Sequence, residues 1–180
     1  MNRDLGRRAF EVLGTSASVW FGQADLLLKC AKPVYDCSGQ IPHSIWIVAM
    51  LRGYAVENML KGWWIEQGHP LVRAGQLLQI PGTKPHDLAK MADVVAVPVS
   101  PEQRVMLDTL TAAVLHLGRY PIPTRVEHMP VHTPERTVPT AVWTPKHEGE
   151  FWNFVVSMWN RYGEVHKLPD GLVWQMRKTW

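Results

Sequence analysis

The sequence predicts an all-α fold, a four- to five-helix up-and-down bundle with a long Pro-rich loop before the last main helix. Three observations predict it. Apolar residues recur at three- and four-residue spacing in four segments. Two of those segments open with a capping residue followed by Pro, at Ser100-Pro101 and Thr144-Pro145. Pro121, Pro123, Pro130, Pro134 and Pro139 crowd residues 119–144, and no helix continues through such a run.

Residues 1–14 are charged and small and read as a short helix or arm. The first main helix spans about 16–31, where Trp20, Ala24, Leu27, Leu28 and Ala31 make one apolar stripe and Pro33 supplies the stop. A connection at 38–42 follows. The second helix spans about 43–67. Val48, Leu51, Ala55, Met59 and Gly62 form one stripe, and Trp46, Met50, Tyr54 and Trp64 part of another. A helix apolar on most sides belongs at the centre of its bundle. Glu57 and Lys61 form an i,i+4 pair in the favourable order, and Gly68 and Pro70 end the helix.

Residues 69–82 read as a loop with a Pro81-Gly82 turn. A short helix starts near Pro85 or His86 and carries Leu88, Met91, Ala92 and Val95. Ser100-Pro101-Glu102-Gln103 is the strongest start signal in the chain: a cap, a Pro at the first helical position, and Gln three residues after the cap. Met106, Leu107, Leu110, Ala113, Val114 and Leu117 then hold helical spacing up to Gly118. Residues 119–144 are irregular, with a weakly signalled β-hairpin within 126–142. Phe151, Phe154, Val155, Met158 and Tyr162 define the last main helix, which fades near His166. Pro169-Asp170-Gly171 is a turn. The tail carries Trp174 and Trp180 and is expected to pack on its own body or on a neighbour.

With 180 residues, the chain reads as a single domain with a core over about 16–166 and a tail over 167–180. The net charge of +3 comes from scattered basic residues, apart from Arg7-Arg8 and Arg177-Lys178. That balance favours plain solubility over a dedicated nucleic-acid face. No signal peptide is visible, and no uncharged apolar run reaches the length of a membrane span. The expected setting is cytoplasmic, with no membrane contact. Nine Trp exceed the need of one small core, which points to a homodimer that buries some of them.

Few of the usual catalytic motifs are present. His128 and His132 with Glu127 could approach one metal, but Pro130 interrupts the helix that such spacing requires. Neither a Gly-x-Ser-x-Gly elbow nor a Gly-rich phosphate loop occurs. Cys30 falls beside the stripe of the first main helix and reads as a small buried thiol. No metal or other cofactor is expected. The Arg and His residues are more suggestive. Arg119 follows the Ser100-capped helix. Arg125 and His132 lie in the Pro-rich loop with six residues between them, and Arg161 and His166 lie late in the last helix with four between them. An Arg can stabilise charge on a transferring phosphoryl group while a His moves the proton, with no metal required.

Three segments in order carry a family resemblance. Arg52-Gly53-Tyr54-Ala55-Val56-Glu57-Asn58-Met59-Leu60-Lys61 resembles the second helix of the HEPN superfamily. His86-Asp87-Leu88-Ala89-Lys90-Met91 resembles the His-Asp-Leu segment that follows that helix, and Leu117-Gly118-Arg119-Tyr120-Pro121 a third segment of some members. The likeness spans about 16–166. It implies a dimerising helical bundle, and in many members a metal-independent endoribonuclease of toxin–antitoxin or defence type. Their site uses an Arg, four to six residues, and a His near the start of the last bundle helix. Arg119, Arg125 and His132 are the catalytic candidates the resemblance implies here, with Arg161 and His166 behind them. Val126 and Pro130 depart from the family pattern around the first Arg–His pair, and Arg161–His166 sits at the far end of its helix. Other members are non-catalytic binding or regulatory modules, so RNA, a nucleotide or a protein partner are the ligand classes in view. In this reading Glu57 and His86 are structural, with Glu57 facing Lys61 or a neighbouring helix and His86 opening the short helix as its cap.

Overall fold

The computed structural model describes residues 3–41, 44–119, 132–133, 136–137, 143–169, 172–177 and 179–180. The fold is all-α. Its helices are α1 (Arg3–Gly14), α2 (Ala17–Asp36), α3 (Ser44–Glu66), α4 (Leu88–Val94), α5 (Pro101–Ala112), α6 (Pro145–His166) and α7 (Leu172–Arg177). Strands are confined, among the described residues, to two small antiparallel ladders. One joins β1 (Val72–Arg73) to β2 (Gln76–Leu77), the other β3 (His132–Thr133) to β4 (Arg136–Thr137).

The core forms where α2, α3, α5 and α6 turn their apolar faces together. Phe21 of α2 stacks on Tyr162 of α6 at 4.2 Å between ring centroids and meets Trp159 edge-on at 5.1 Å. Phe151 and Phe154 are fully buried, each removal of such a side chain from water contributing about 1.5–3 kcal/mol. Central α3 reaches its neighbours through small residues. A Cβ on Gly53 would lie 2.5 Å from Val114 and 3.2 Å from the Leu110 carbonyl, so α5 approaches α3 backbone to backbone there. The tail packs on the body: Trp180 is buried, stacks on Trp152 at 6.0 Å, and donates its Nε1–H to Asp25 at 2.7 Å.

Both predicted caps form, and each is part of a capping box. Ser100 Oγ accepts from the Gln103 N–H, and the Ser100 N–H donates to Gln103 Oε1, each at 3.1 Å. Thr144 Oγ1 accepts from the His147 N–H at 3.3 Å, while His147 Nδ1 takes the place of a Glu or Gln by accepting from the Thr144 N–H at 3.2 Å.

Four local expectations are corrected. Helix α2 runs through Pro33 to Asp36. Pro33 is exposed, as is Lys29, whose carbonyl loses its partner, so water can solvate the break. Cys30 is exposed, as is Cys37; the buried arc of α2 consists of Ala17, Phe21, Ala24, Leu28 and Ala31, and Cys30 lies beyond it. Residues 72–77 form a tight hairpin, with Ala74 and Gly75 both at positive φ, 53° and 77°, the backbone that two-residue hairpin turns need. The helix ending at Gly118 widens into a π-turn over Ala113–Leu117, which sets Gly118 against the Trp46 carbonyl and Met50 of α3.

Candidate functional site

Helix α3 carries an arginine at its centre, and an arginine there must find a carboxylate or remain an uncompensated buried charge. Arg52 is 4% exposed at its side chain and forms a two-pronged pair with Glu148 of α6, at 2.6 and 2.9 Å. The carboxylate also accepts the indole N–H of Trp143 at 2.7 Å and of Trp152 at 2.8 Å. Four donors therefore converge on two oxygens. The guanidinium lies among the rings of Tyr35, Trp143, Phe151 and Trp152, 4.8–5.5 Å from their centroids, within cation–π range. Burial pushes the Glu148 carboxyl up, but the Arg52 hydrogen bond and charge, with the two indoles, outweigh it and hold it below the usual carboxylate range. The sequence reading missed this centre. Its only local signal is Arg52 itself, a charge set in the apolar first half of α3.

A second cluster lies further along α3. Glu57, 7% exposed at its side chain, takes Lys61 Nζ on one oxygen and His86 Nδ1 on the other, each at 2.7 Å. Lys61 lies 5.4 Å above the Trp20 ring, and the His86 ring meets Tyr54 edge-on. Glu57 thus faces both Lys61 and the segment before α4, as expected. His86 does not cap α4, however; Asp87 does, accepting from the Lys90 N–H. His86 stands one residue too early, at φ 64°, and that backbone aims its ring back at α3. Each charge in the cluster has its partner within the cluster, which suits anchoring.

The outward face of α6 offers an open polar groove of about 530 Å³ lined by Asn153, Val156, Ser157, Asn160, Arg161 and Glu164. These positions lie opposite the stripe of Phe151, Val155, Met158 and Tyr162 that enters the core.

The candidate Arg and His residues fall in different places. Arg161 lines the α6 groove. His166 does not join it: five residues on a helix turn the side chain through about 140°, and His166 Nε2 instead meets Glu66 of α3 at 2.8 Å. Arg119 is exposed just past Gly118, its N–H bonded to the His116 carbonyl. His132 pairs with Thr137 in the second ladder, and its side chain, like Arg125, lies outside the described residues. So do Glu127 and His128. Among the described residues no group of three or more His, Cys, Asp or Glu converges as metal ligands would. No described helix is long and apolar enough to cross a membrane.

Comparison with protein-family models, curated proteins and solved structures finds no match.

Among these three places, the α6 groove is the one whose polar groups face solvent together. Asn153, Ser157 and Asn160 offer amide and hydroxyl groups that both donate and accept, Arg161 adds a fixed positive fork, and Glu164 lines the same groove with one negative charge. Such a set can hold a phosphate and the sugar or base edges beside it.

Proposed function

We propose that this chain is a HEPN-like helical domain that works as a homodimer and holds RNA along the outward face of α6. The observation that carries the reading is the polar groove around Arg161, with Asn153, Ser157 and Asn160 beside it. In this reading Arg161 contacts a phosphate, and the neutral groups position the strand without demanding one sequence. The three segments that resemble HEPN members support the same assignment, since two of them supply the Glu57–His86 link that fixes α4 against α3.

The test is binding of labelled single-stranded RNA by the full chain, with and without chelator. Arg161→Ala should weaken binding and reduce the slope of log affinity against log salt by about 0.7, the signature of one lost phosphate contact on a single strand. RNA left unbound by the wild-type chain at low salt overturns the reading. The same samples decide the ribonuclease and defence-effector role that the resemblance implies. Cleavage that persists in chelator and disappears in both Arg125→Ala and His132→Ala assigns the chemistry to Arg125 and His132. Binding without cleavage makes the domain a holding module.

A further inference from the structure

Helix α2 has two faces, and only one of them is used by the fold. Ala17, Phe21, Ala24, Leu28 and Ala31 are buried. On the opposite side Val19, Gly22, Leu26, Cys30, Pro33 and Cys37 are all exposed, with Leu26 52% exposed. They follow one another at intervals of three or four residues from Val19 to the C-cap Cys37, the repeat that keeps one seam turned toward another helix. No charge interrupts the seam. The charged residues, Asp25, Lys29, Lys32 and Asp36, all fall on one flank, about 60–120° from Leu26 at 100° per residue. They pair within the helix as Asp25–Lys29 and Lys32–Asp36, and Asp25 also accepts from the Trp180 indole. A helix face left to water normally carries such charges itself.

Gly22 is a second, independent sign. It stands inside α2 and is exposed, and a Cβ there would meet nothing within 4 Å. A glycine inside a helix costs about 1 kcal/mol relative to Ala. Among the described residues nothing requires one at this position, whereas close approach of another helix would.

We propose that this seam is the surface on which a second copy of the chain packs, α2 against α2 and antiparallel. The proposal rests on the homodimer in the reading above and names its interface. The charges on the flank select the occupant. In an antiparallel pair related by a two-fold axis, the same flank of both helices meets in reverse order. The flank reads acidic, basic, basic, acidic from Asp25 to Asp36. A register offset by about one turn from the like-on-like alignment sets Asp25 of each copy against Lys32 of the other. It also fixes the thiols. The two Cys30 positions then lie about 4.5 Å apart along the helix axes, and the two Cys37 positions about 25 Å apart, at 1.5 Å rise per residue. With packed helices 8–10 Å between axes, the Cys30 pair is within reach of a disulfide and the Cys37 pair is not. The α6 groove stays outside this contact.

The experiment oxidises the full-length protein with diamide and reads a non-reducing gel beside light scattering. A covalent dimer that forms in Cys37→Ser and fails to form in Cys30→Ser is the expected result. Leu26→Glu should shift the wild-type dimer to monomer with the melting temperature of the monomer unchanged. Gly22→Gln guards against misfolding as an explanation: it should raise the helix stability of the monomer while weakening dimerisation at least tenfold. A dimer that survives both Leu26→Glu and Gly22→Gln overturns the α2 interface and leaves the homodimer standing on another face. A monomeric wild type overturns both, and RNA binding, measured separately, then tests the α6 groove alone.

Discussion

Helix α3 buries two sets of charges about a turn and a half apart and resolves them in opposite ways. Around Arg52, one cation meets one anion, and every remaining valence of the carboxylate is taken by an indole N–H. Around Glu57 the anion is the buried member, and its two basic partners reach the surface, Lys61 at 16% and His86 at 26% side-chain exposure. The difference teaches where each centre is vulnerable. In the first, losing Glu148 strands the Arg52 guanidinium, 4% exposed, among aromatic rings. In the second, a stranded Lys61 or His86 can turn to water.

The largest expected effect is therefore on Glu148. Glu148→Leu should leave the Arg52 charge unpaired and two indole N–H groups without their acceptor, costing about 3–5 kcal/mol of unfolding free energy in chemical denaturation. The double variant Arg52→Met/Glu148→Leu should be less destabilised than Glu148→Leu alone, because no lone charge then remains. A double variant as unstable as the sum of the singles would mean that the two residues act independently.

Acid should act on the same pair. The Glu148 carboxyl is depressed in the folded state, so its contribution is present above the ordinary carboxylate pKa of about 4.3. It is lost as the pH falls through the lower folded value. Melting temperature measured from pH 6 downward should fall more steeply in the wild type than in Glu148→Gln. Parallel curves would break the link between this pair and acid stability.

Glu57→Gln comes next, at about 1–2 kcal/mol, because both basic partners keep access to water. A loss equal to that of Glu148→Leu would erase the contrast between the two centres.

The smallest effect belongs to the α6 cap. Burial of His147, with Lys146 nearby, lowers its pKa, and its Nδ1 must be unprotonated to accept from the Thr144 N–H. The cap's contribution is thus complete above the unfolded value of about 6.5 and fades as the pH falls through the depressed folded value. His147→Gln, which keeps the capping box without a titrating ring, should remove this part of the pH dependence. The change should be no more than about 1 kcal/mol, read as the difference in melting temperature between pH 7 and pH 5. A wild type and variant that track each other across that range would detach the cap from His147 ionisation.

Much of the fold was legible in the sequence because its signals are local. The Ser100 and Thr144 caps act over three residues, and the stripes of α3 and α6 repeat within two turns, so each can be read without knowing what packs against it. Pro33 misled for the same reason. Proline rules are local too, but whether a broken hydrogen bond can be solvated depends on which face of α2 ends outward. Cys30 misled because periodicity gives the width of a buried arc only roughly, and the edge of that arc is set by the neighbours.

Of the candidate site, the divergence of Arg161 and His166 was already fixed by their five-residue separation once the segment was helical. That His166 meets Glu66, 100 residues away in the chain, was not. Nor could any spacing rule choose Glu148, 96 residues from Arg52, as its partner. What the sequence by itself determined is where helices begin, where they end and which arc of each is apolar, since those follow from hydrogen bonds and side-chain directions within a turn or two. The tertiary structure alone decided how the buried charges pair, because a carboxylate lowers the cost of burying a guanidinium only at contact distance, and the crossing of α3 by α6 sets that distance.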